Sequence, residues 1–277
     1  MGDRPDRPRD PAPGRIRPGL TDRAGYRLLV IVLLPPSETK RAGGDGPPLR
    51  LDRLGHPRCN PLRDELVDEL ITLAADPPAC RQALGISAAR DADIERNAAL
   101  RSAPTCPAIH RYTGVLYDAL DIESLTGAAA TRARARLAVG SALFGLLRAE
   151  DPIPAYRLSA GSKLPGRPTL ASRWRPVLEP VLAELAAREL VVDLRSGAYA
   201  GLGRLPTAVQ VDVLTEDSDG RRTVVSHFNK AHKGRLARAL ARCSGEPGDA
   251  AAVATVARRA GLRVERDGNT LTVVVCA

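Results

Sequence analysis

Four lysines stand against 37 arginines in this 277-residue chain. Where a solvated positive charge is enough, arginine has been used, so a retained lysine marks a place that wants a compact ammonium. Three of the four, Lys40, Lys230 and Lys233, fall in motifs with neighbours of complementary chemistry. Lys40 ends PPSETK, two residues after Glu38; Asp193 and Arg195 sit together in VVDLRSG; Arg148, Asp151, Tyr156 and Arg157 share RAEDPIPAYR. Carboxylates beside lysine and arginine suit two kinds of chemistry, a general base or a seat for phosphate with a metal ion. The same spacing also suits plain neutralisation, with Asp151–Arg157 and Asp193–Arg195 as structural pairs. Glu38, Lys40, Asp193 and Arg195 are therefore the catalytic candidates, and both readings stand. His227 is either an acid–base group or a structural histidine.

A second constellation is cationic only. Arg221 to Arg242 holds Arg221, Arg222, Lys230, Lys233, Arg235, Arg238 and Arg242 and no acidic residue. Lys230 and Lys233 lie three apart, so on a helix they are neighbours, close to its positive N-terminus. Such a face binds phosphates, releases counterions and makes affinity salt-dependent. Aromatic residues make up only 3%, which argues against a stacking platform for single strands and for contact with a duplex backbone. The step Leu84-Gly85-Ile86-Ser87, followed by Arg90, is a hydrophobic–Gly–hydrophobic turn between short helices. Its backbone N–H groups can face a phosphate, or it is an ordinary turn in the core. The candidate phosphate ligands are thus Lys40, Gly85, Arg90, Arg148, Arg157, Lys230, Lys233 and Arg238. No metal site is predicted.

Positioning these residues requires an α/β fold, with a mixed central sheet, surrounding helices and an inserted helical segment. Leu28–Leu34 is apolar throughout, the pattern of a strand buried on both faces. It leads into PPSETK and a Gly/Pro loop, and strand–loop–helix is where α/β folds place ligands; the spacing is not that of a P-loop. Leu62, Leu66, Leu70 and Leu73 predict an amphipathic helix, and a second is expected over Pro78–Leu84, ended by Gly85. Helices are also expected up to Leu137, over Thr169–Glu189 and over Ala231–Arg242. Strands are expected at Leu190–Leu194, Ala208–Leu214 and Arg222–Phe228, with a terminal hairpin turning at Asp267-Gly268-Asn269. If the strands ending in PPSETK and DLRS are neighbours, their C-terminal ends converge on one cleft. Three regions result: a disordered Arg/Pro-rich extension over 1–27, the α/β domain over 28–242, and an added helix and hairpin over 243–277.

Composition narrows the rest. The net charge of +9 favours polyanionic partners without naming one. No apolar run approaches the roughly 20 residues needed to cross a bilayer, so the expectation is a soluble, cytoplasmic monomer with no membrane partner. Five scattered cysteines, without a CxxC, support neither a disulfide framework nor zinc.

Five ordered motifs carry a resemblance. PPSETK, YTGVLYDAL, GLLRAEDPIPAYRLSAG, VVDLRSGAY and VSHFNKAHKGRLAR occur in the order characteristic of the YaaA (DUF328) family, over about Leu28 to Leu240. The resemblance implies a cytoplasmic protein of the peroxide response. It further implies a compact α/β body, a positively charged cleft and a helix–hairpin–helix element linked to DNA binding, here Leu84-Gly85-Ile86-Ser87 through Arg90. The partner implied is double-stranded DNA. The alternative is a nucleotide- or phosphate-dependent enzyme with its polar cleft built from PPSETK, RAEDPIPAYR and DLRS.

Overall fold

The first predicted strand is β1, Val30–Leu34, and all five of its residues are buried. The computed structural model describes residues 29–223 and 226–276, with main chain alone at 226–228. The expected extension over 1–27 and the side chain of His227 lie outside the described residues. The remaining strands are β2 (Gly46–Pro48), β3 (Pro104–Pro107), β4 (Leu137–Ser141), β5 (Gly145–Arg148), β6 (Pro152–Ile153) and β7 (Leu190–Asp193). They are followed by β8 (Val209–Glu216), β9 (Arg222–Thr223), β10 (Val264–Asp267) and β11 (Thr270–Cys276).

The main sheet runs β10-β11-β8-β7-β1-β4-β5, with β9 paired to β8. From β11 to β4 the strands are parallel, and β10, β5 and β9 are antiparallel. This is the mixed sheet expected from the sequence. β1 lies at its middle with β4 on one side and β7 on the other. The chain thus crosses from β1 to β4 and then returns past β1 to β7. The loops that follow β1 and β7 diverge at that point, and the crevice outside the carboxyl ends of such strands is where open sheets bind ligands. The 243–277 segment supplies β10 and β11, which lengthen the same sheet. A separate three-stranded sheet, β2-β3-β6, lies off the main one.

The helices follow the apolar periodicities. Asn60–Ala74 buries Leu62, Leu66 and Leu70, and Pro77–Leu84 ends on Gly85 at φ 63°. A helical turn at Ala88–Arg90 leads into Asp91–Ala98, completing the inserted helical segment between β2 and β3. Gly127–Arg136 precedes β4 and Leu170–Ala186 precedes β7. The strand expected over Arg222–Phe228 is an error of register in the prediction. β9 ends at Thr223, and a helix runs from Ser226 to Arg242. Its buried positions Leu236, Ala237, Leu240 and Ala241 repeat at helical spacing. That packed face holds the helix against the body of the protein, and residues 224–225 lie outside the described residues. The helix approaches Val115–Leu120 so closely that a Cβ at Gly234 would lie 2.2 Å from the Leu116 carbonyl.

Much of the arginine is structural. Arg63 and Arg111 are fully buried and Arg136 is 1% exposed. Arg63 donates to the carbonyls of Phe144, Leu146 and Gly55, Arg111 to that of Ile153, and Arg136 to those of Leu240, Cys243 and Gly245. A guanidinium carries five donors in a planar fork, so one side chain can satisfy several loop and helix-end carbonyls at once. Among the described residues, all five cysteines are free, no helix is long and apolar enough to cross a membrane, and no metal-ligating cluster occurs.

Candidate functional site

A cleft of about 640 Å³ opens at the carboxyl ends of β1 and β7. Three stretches wall it: Pro35–Thr39 after β1, Thr113–Tyr117, and Ser159–Gly161. Ser196, Tyr199 and Lys230 close the side towards β7. The loop after β1 is held by a short backbone ladder. Lys40 bridges Tyr112, the Arg41 N–H donates to the Arg111 carbonyl, and the Thr113 N–H donates to that of Thr39. Ser37, Thr39 and Thr113 link their hydroxyls at 3.1 Å per step.

Arg157 is the central charge. It is 7% exposed, and its backbone is clamped by Asn97 across 60 residues of sequence. The Asn97 amide donates to the Arg157 carbonyl at 2.9 Å, and its oxygen accepts the Arg157 N–H at 2.8 Å. The inserted helix Asp91–Ala98 therefore sets where Arg157 stands. One guanidinium nitrogen, Nη2, donates to Glu38 at 3.2 Å. The buried Nε and Nη1 find no partner among the described residues. A buried polar group without a partner forfeits roughly 1–3 kcal/mol, more when charged, so two such nitrogens leave this cation under-satisfied.

Lys40 stands beside it. Its Nζ donates to the Ser37 carbonyl at 3.0 Å and lies 4.3 Å from the centre of the Tyr156 ring and 5.4 Å from that of Tyr112. The two phenols meet at 2.9 Å, and Tyr156 also bonds the Ser141 hydroxyl at 2.7 Å. Burial, then the positive charge of Arg157, lowers the Lys40 ammonium to about 7, against the pull of Asp93 and Glu38. Arg90, paired to Asp93 at 2.9 Å, adds a further downward push. Tyr199, whose phenol burial pushes up to about 12, is neutral at physiological pH.

This has a stability signature. The unfolded chain holds the lysine proton up to about 10.5, the folded protein only below about 7. Between those values the unfolded state binds more protons, so stability rises with pH across the window, and the burial cost is greatest below it. Lys40→Met should therefore stabilise the fold more near pH 6 than near pH 10, by a difference on the order of 4 kcal/mol. Urea midpoints of both proteins at the two pH values measure this; equal gains would mean that the amine is solvated.

The other sequence candidates scatter. Glu38 and the exposed Lys230 line the cleft, whereas Arg157 stands behind Glu38, Lys40 follows the lining loop, and Arg90 acts on Lys40 only through its charge. Asp193 and Arg195 form a closed pair, each side chain 3% exposed, with Arg195 Nε and Nη2 at 2.9 and 2.7 Å from the carboxylate and Nη2 also on the Gly203 carbonyl. The structural reading is the one adopted there. The pair Asp151–Arg157 does not form: Asp151 accepts the backbone N–H groups of Gly55 and Arg148 instead. Lys233 spends its ammonium on the Leu194 and Arg195 carbonyls, fixing the loop after β7. Arg238 caps the end of Val115–Leu120 through the carbonyls of Leu120 and Asp121. The N–H groups of Gly85 and Ile86 close the preceding helix on Gln82 and Arg81. Arg148 lies where β4 begins, at the other end of the sheet, in a cavity with His56, Arg58, Arg188 and Glu189.

Asn97, Tyr199 and Thr113 were not singled out in the sequence. Thr113 and Tyr199 lie inside YTGVLYDAL and VVDLRSGAY, so motif membership was the available signal; Asn97 carried none.

A family model described as "Peroxide stress protein YaaA" matches residues 30–266. A UPF0246 protein of Corynebacterium efficiens is 49% identical over 253 residues, covering 89% of this chain and all of that protein. One from Corynebacterium glutamicum is 46% identical over the same share of both chains. A UPF0246 protein of Streptomyces coelicolor is 42% identical over 241 residues, 86% of this chain and 93% of its own length. The matched residues hold all of the cleft's lining, from Pro35 to Lys230, and the chain belongs to the YaaA (UPF0246) family of peroxide stress proteins.

Proposed function

We propose that this protein serves the peroxide response in the cytoplasm by binding a phosphate-bearing nucleotide unit in the cleft between β1 and β7. The observation that carries the reading is Arg157, a buried guanidinium with two unengaged nitrogens, bonded to Glu38, whose sequence neighbours Ser37 and Thr39 link their hydroxyls. A planar fork of donors suits a phosphate's oxygens, and charged hydrogen bonds of this kind are about twice as strong as neutral ones. The volume falls in the range of about 300–1,000 Å³ usual for small-ligand sites, which suits one nucleotide rather than the side of a duplex. Lys233 and Arg238 being bonded to carbonyls removes two of the cations on which a broad duplex-binding face would depend.

A second reading, duplex DNA, is favoured by one feature. Arg90, at the end of the Gly85–Arg90 turn, lies near enough to Lys40 for its charge to act on that ammonium, and Lys230 is exposed on the cleft. In that reading a nucleotide enters the cleft while its strand lies along the rim.

Calorimetric titration with a nucleoside 5′-monophosphate, the matching nucleoside and a short duplex separates these readings. The monophosphate should bind at least about ten-fold more tightly than the nucleoside, about 1.4 kcal/mol. Equal affinities would overturn the phosphate reading. Duplex affinity that falls steeply with salt while the monophosphate fails to bind would put the second reading first.

A further inference from the structure

We infer that Lys40 is a nucleophile, whose Nζ condenses with the aldehyde of a sugar phosphate seated on Arg157. The inference rests on the phosphate reading of Arg157 given above and adds to it a reaction and a substrate class: the open-chain form of an aldose phosphate.

The amine is placed for this and for little else. It makes one hydrogen bond, to the Ser37 carbonyl, and no carboxylate lies within ion-pair distance among the described residues. Two tyrosine rings and a guanidinium surround it. Lys233, also half-buried, spends its ammonium on two loop carbonyls, whereas Lys40 has one carbonyl and otherwise faces two rings. Arginine cannot give up its proton here, whereas a buried lysine can, and only the free amine attacks a carbonyl.

Glu38 stands at the approach. Its side chain is 68% exposed and holds Arg157 by one 3.2 Å contact, while Ser37, Glu38 and Thr39, the three residues before Lys40, line the cleft. A phosphate competes with that single carboxylate contact for the guanidinium. With Glu38 displaced, the aldehyde carbon of the bound ligand meets Nζ. The nitrogen lone pair forms the C–N bond and the carbonyl oxygen takes up a proton to give a carbinolamine. A proton from solvent carries that hydroxyl off as water while the nitrogen lone pair forms the C=N bond, leaving a protonated imine. No oxidant or reductant is consumed.

Borohydride reduction of the imine makes the adduct permanent, and with only four lysines in the chain its position can be read by peptide mass mapping. The full-length protein is incubated with 2-deoxyribose 5-phosphate or with 2-deoxyribose, reduced and mapped. The expected result is an adduct on Lys40 at least about ten-fold above those on the exposed Lys163 and Lys230, forming faster as pH rises through about 7. Lys40→Arg should lose it. Arg157→Met should bring labelling by the phosphorylated sugar down to the level given by the unphosphorylated one. If both sugars label Lys40 equally in the unaltered protein, the nucleophile stands and the phosphate seat falls. If the monophosphate binds tightly but label is absent from Lys40, or spreads evenly over the lysines, the nucleophile is overturned and the phosphate seat stands.

Discussion

Arg157→Met is expected to weaken nucleoside monophosphate binding by at least about thirty-fold, roughly 2 kcal/mol, without lowering the stability of the free protein. The argument comes from what the guanidinium does in each state. In the free protein it has one exposed carboxylate partner, and its Nε and Nη1 are buried and unengaged. Such a cation opposes folding more than it supports it, since burying charge is costly unless it is well paired. Methionine keeps the packing of the aliphatic stem and removes the charged head, so the thermal midpoint should hold or rise. In the bound state the same side chain would supply charged hydrogen bonds inside a water-poor cleft, where losing one partner costs about 2–5 kcal/mol. Loss of affinity with retained stability is the pattern expected of a binding residue. Calorimetry for binding and scanning calorimetry for stability measure the two halves. A midpoint well below that of the unaltered protein would make Arg157 a structural cation, and an affinity within about three-fold would remove it from the site. Arg157→Lys should recover only part of the affinity, because a single ammonium cannot reproduce a two-pronged fork.

The second large effect concerns stability alone. Asp193→Ala should destabilise the fold by about 3–5 kcal/mol, the usual cost of breaking a buried ion pair by removing one partner. Arg195 would be left 3% exposed with only the Gly203 carbonyl as a side-chain acceptor, and Lys233 nearby would lose the carboxylate that favours its charged form. The chemical-denaturation midpoint should fall accordingly, and Asp193→Ala/Arg195→Met should recover part of the loss, since the stranded charge is then gone. If Asp193→Ala folds with unchanged stability, the pair is not closed and the carboxylate returns as a candidate base.

These two residues show where sequence reading stops. Asp193 and Arg157 were picked by the same signal, a charged residue near the end of an apolar strand or loop. In the fold one is neutralised two residues away and the other is held open by Asn97, 60 residues distant. Spacing along the chain reports local pairs such as Asp193–Arg195, but it is silent on whether a partner arrives from another element. The same limit governs the basic helix. Lys230, Lys233 and Arg238 look alike in sequence, yet only Lys230 faces the cleft, because Gly234 lets the helix lie against Val115–Leu120 with its other cations turned onto carbonyls. Asn97 gave no sequence signal because a lone asparagine in a helix has no pattern to break.

The sequence by itself determined the buried strand β1, the polar loop after it, the α/β class, most helix positions and the family, for these rest on apolar periodicity, turn residues and ordered motifs, all local properties. Tertiary structure alone decided that β7 lies beside β1, that the inserted helices reach back to clamp Arg157, and that Lys40 is half-buried beside two tyrosines with no carboxylate in ion-pair distance among the described residues. The physical reason is that charge and amine chemistry depend on burial and on partners from distant segments. Net charge illustrates it: the arginine surplus that first suggested a polyanion is partly spent inside the protein on backbone carbonyls, at Arg63, Arg111 and Arg136. Among the described residues, the one buried guanidinium with unengaged donors, Arg157, is the more specific sign of an anionic ligand.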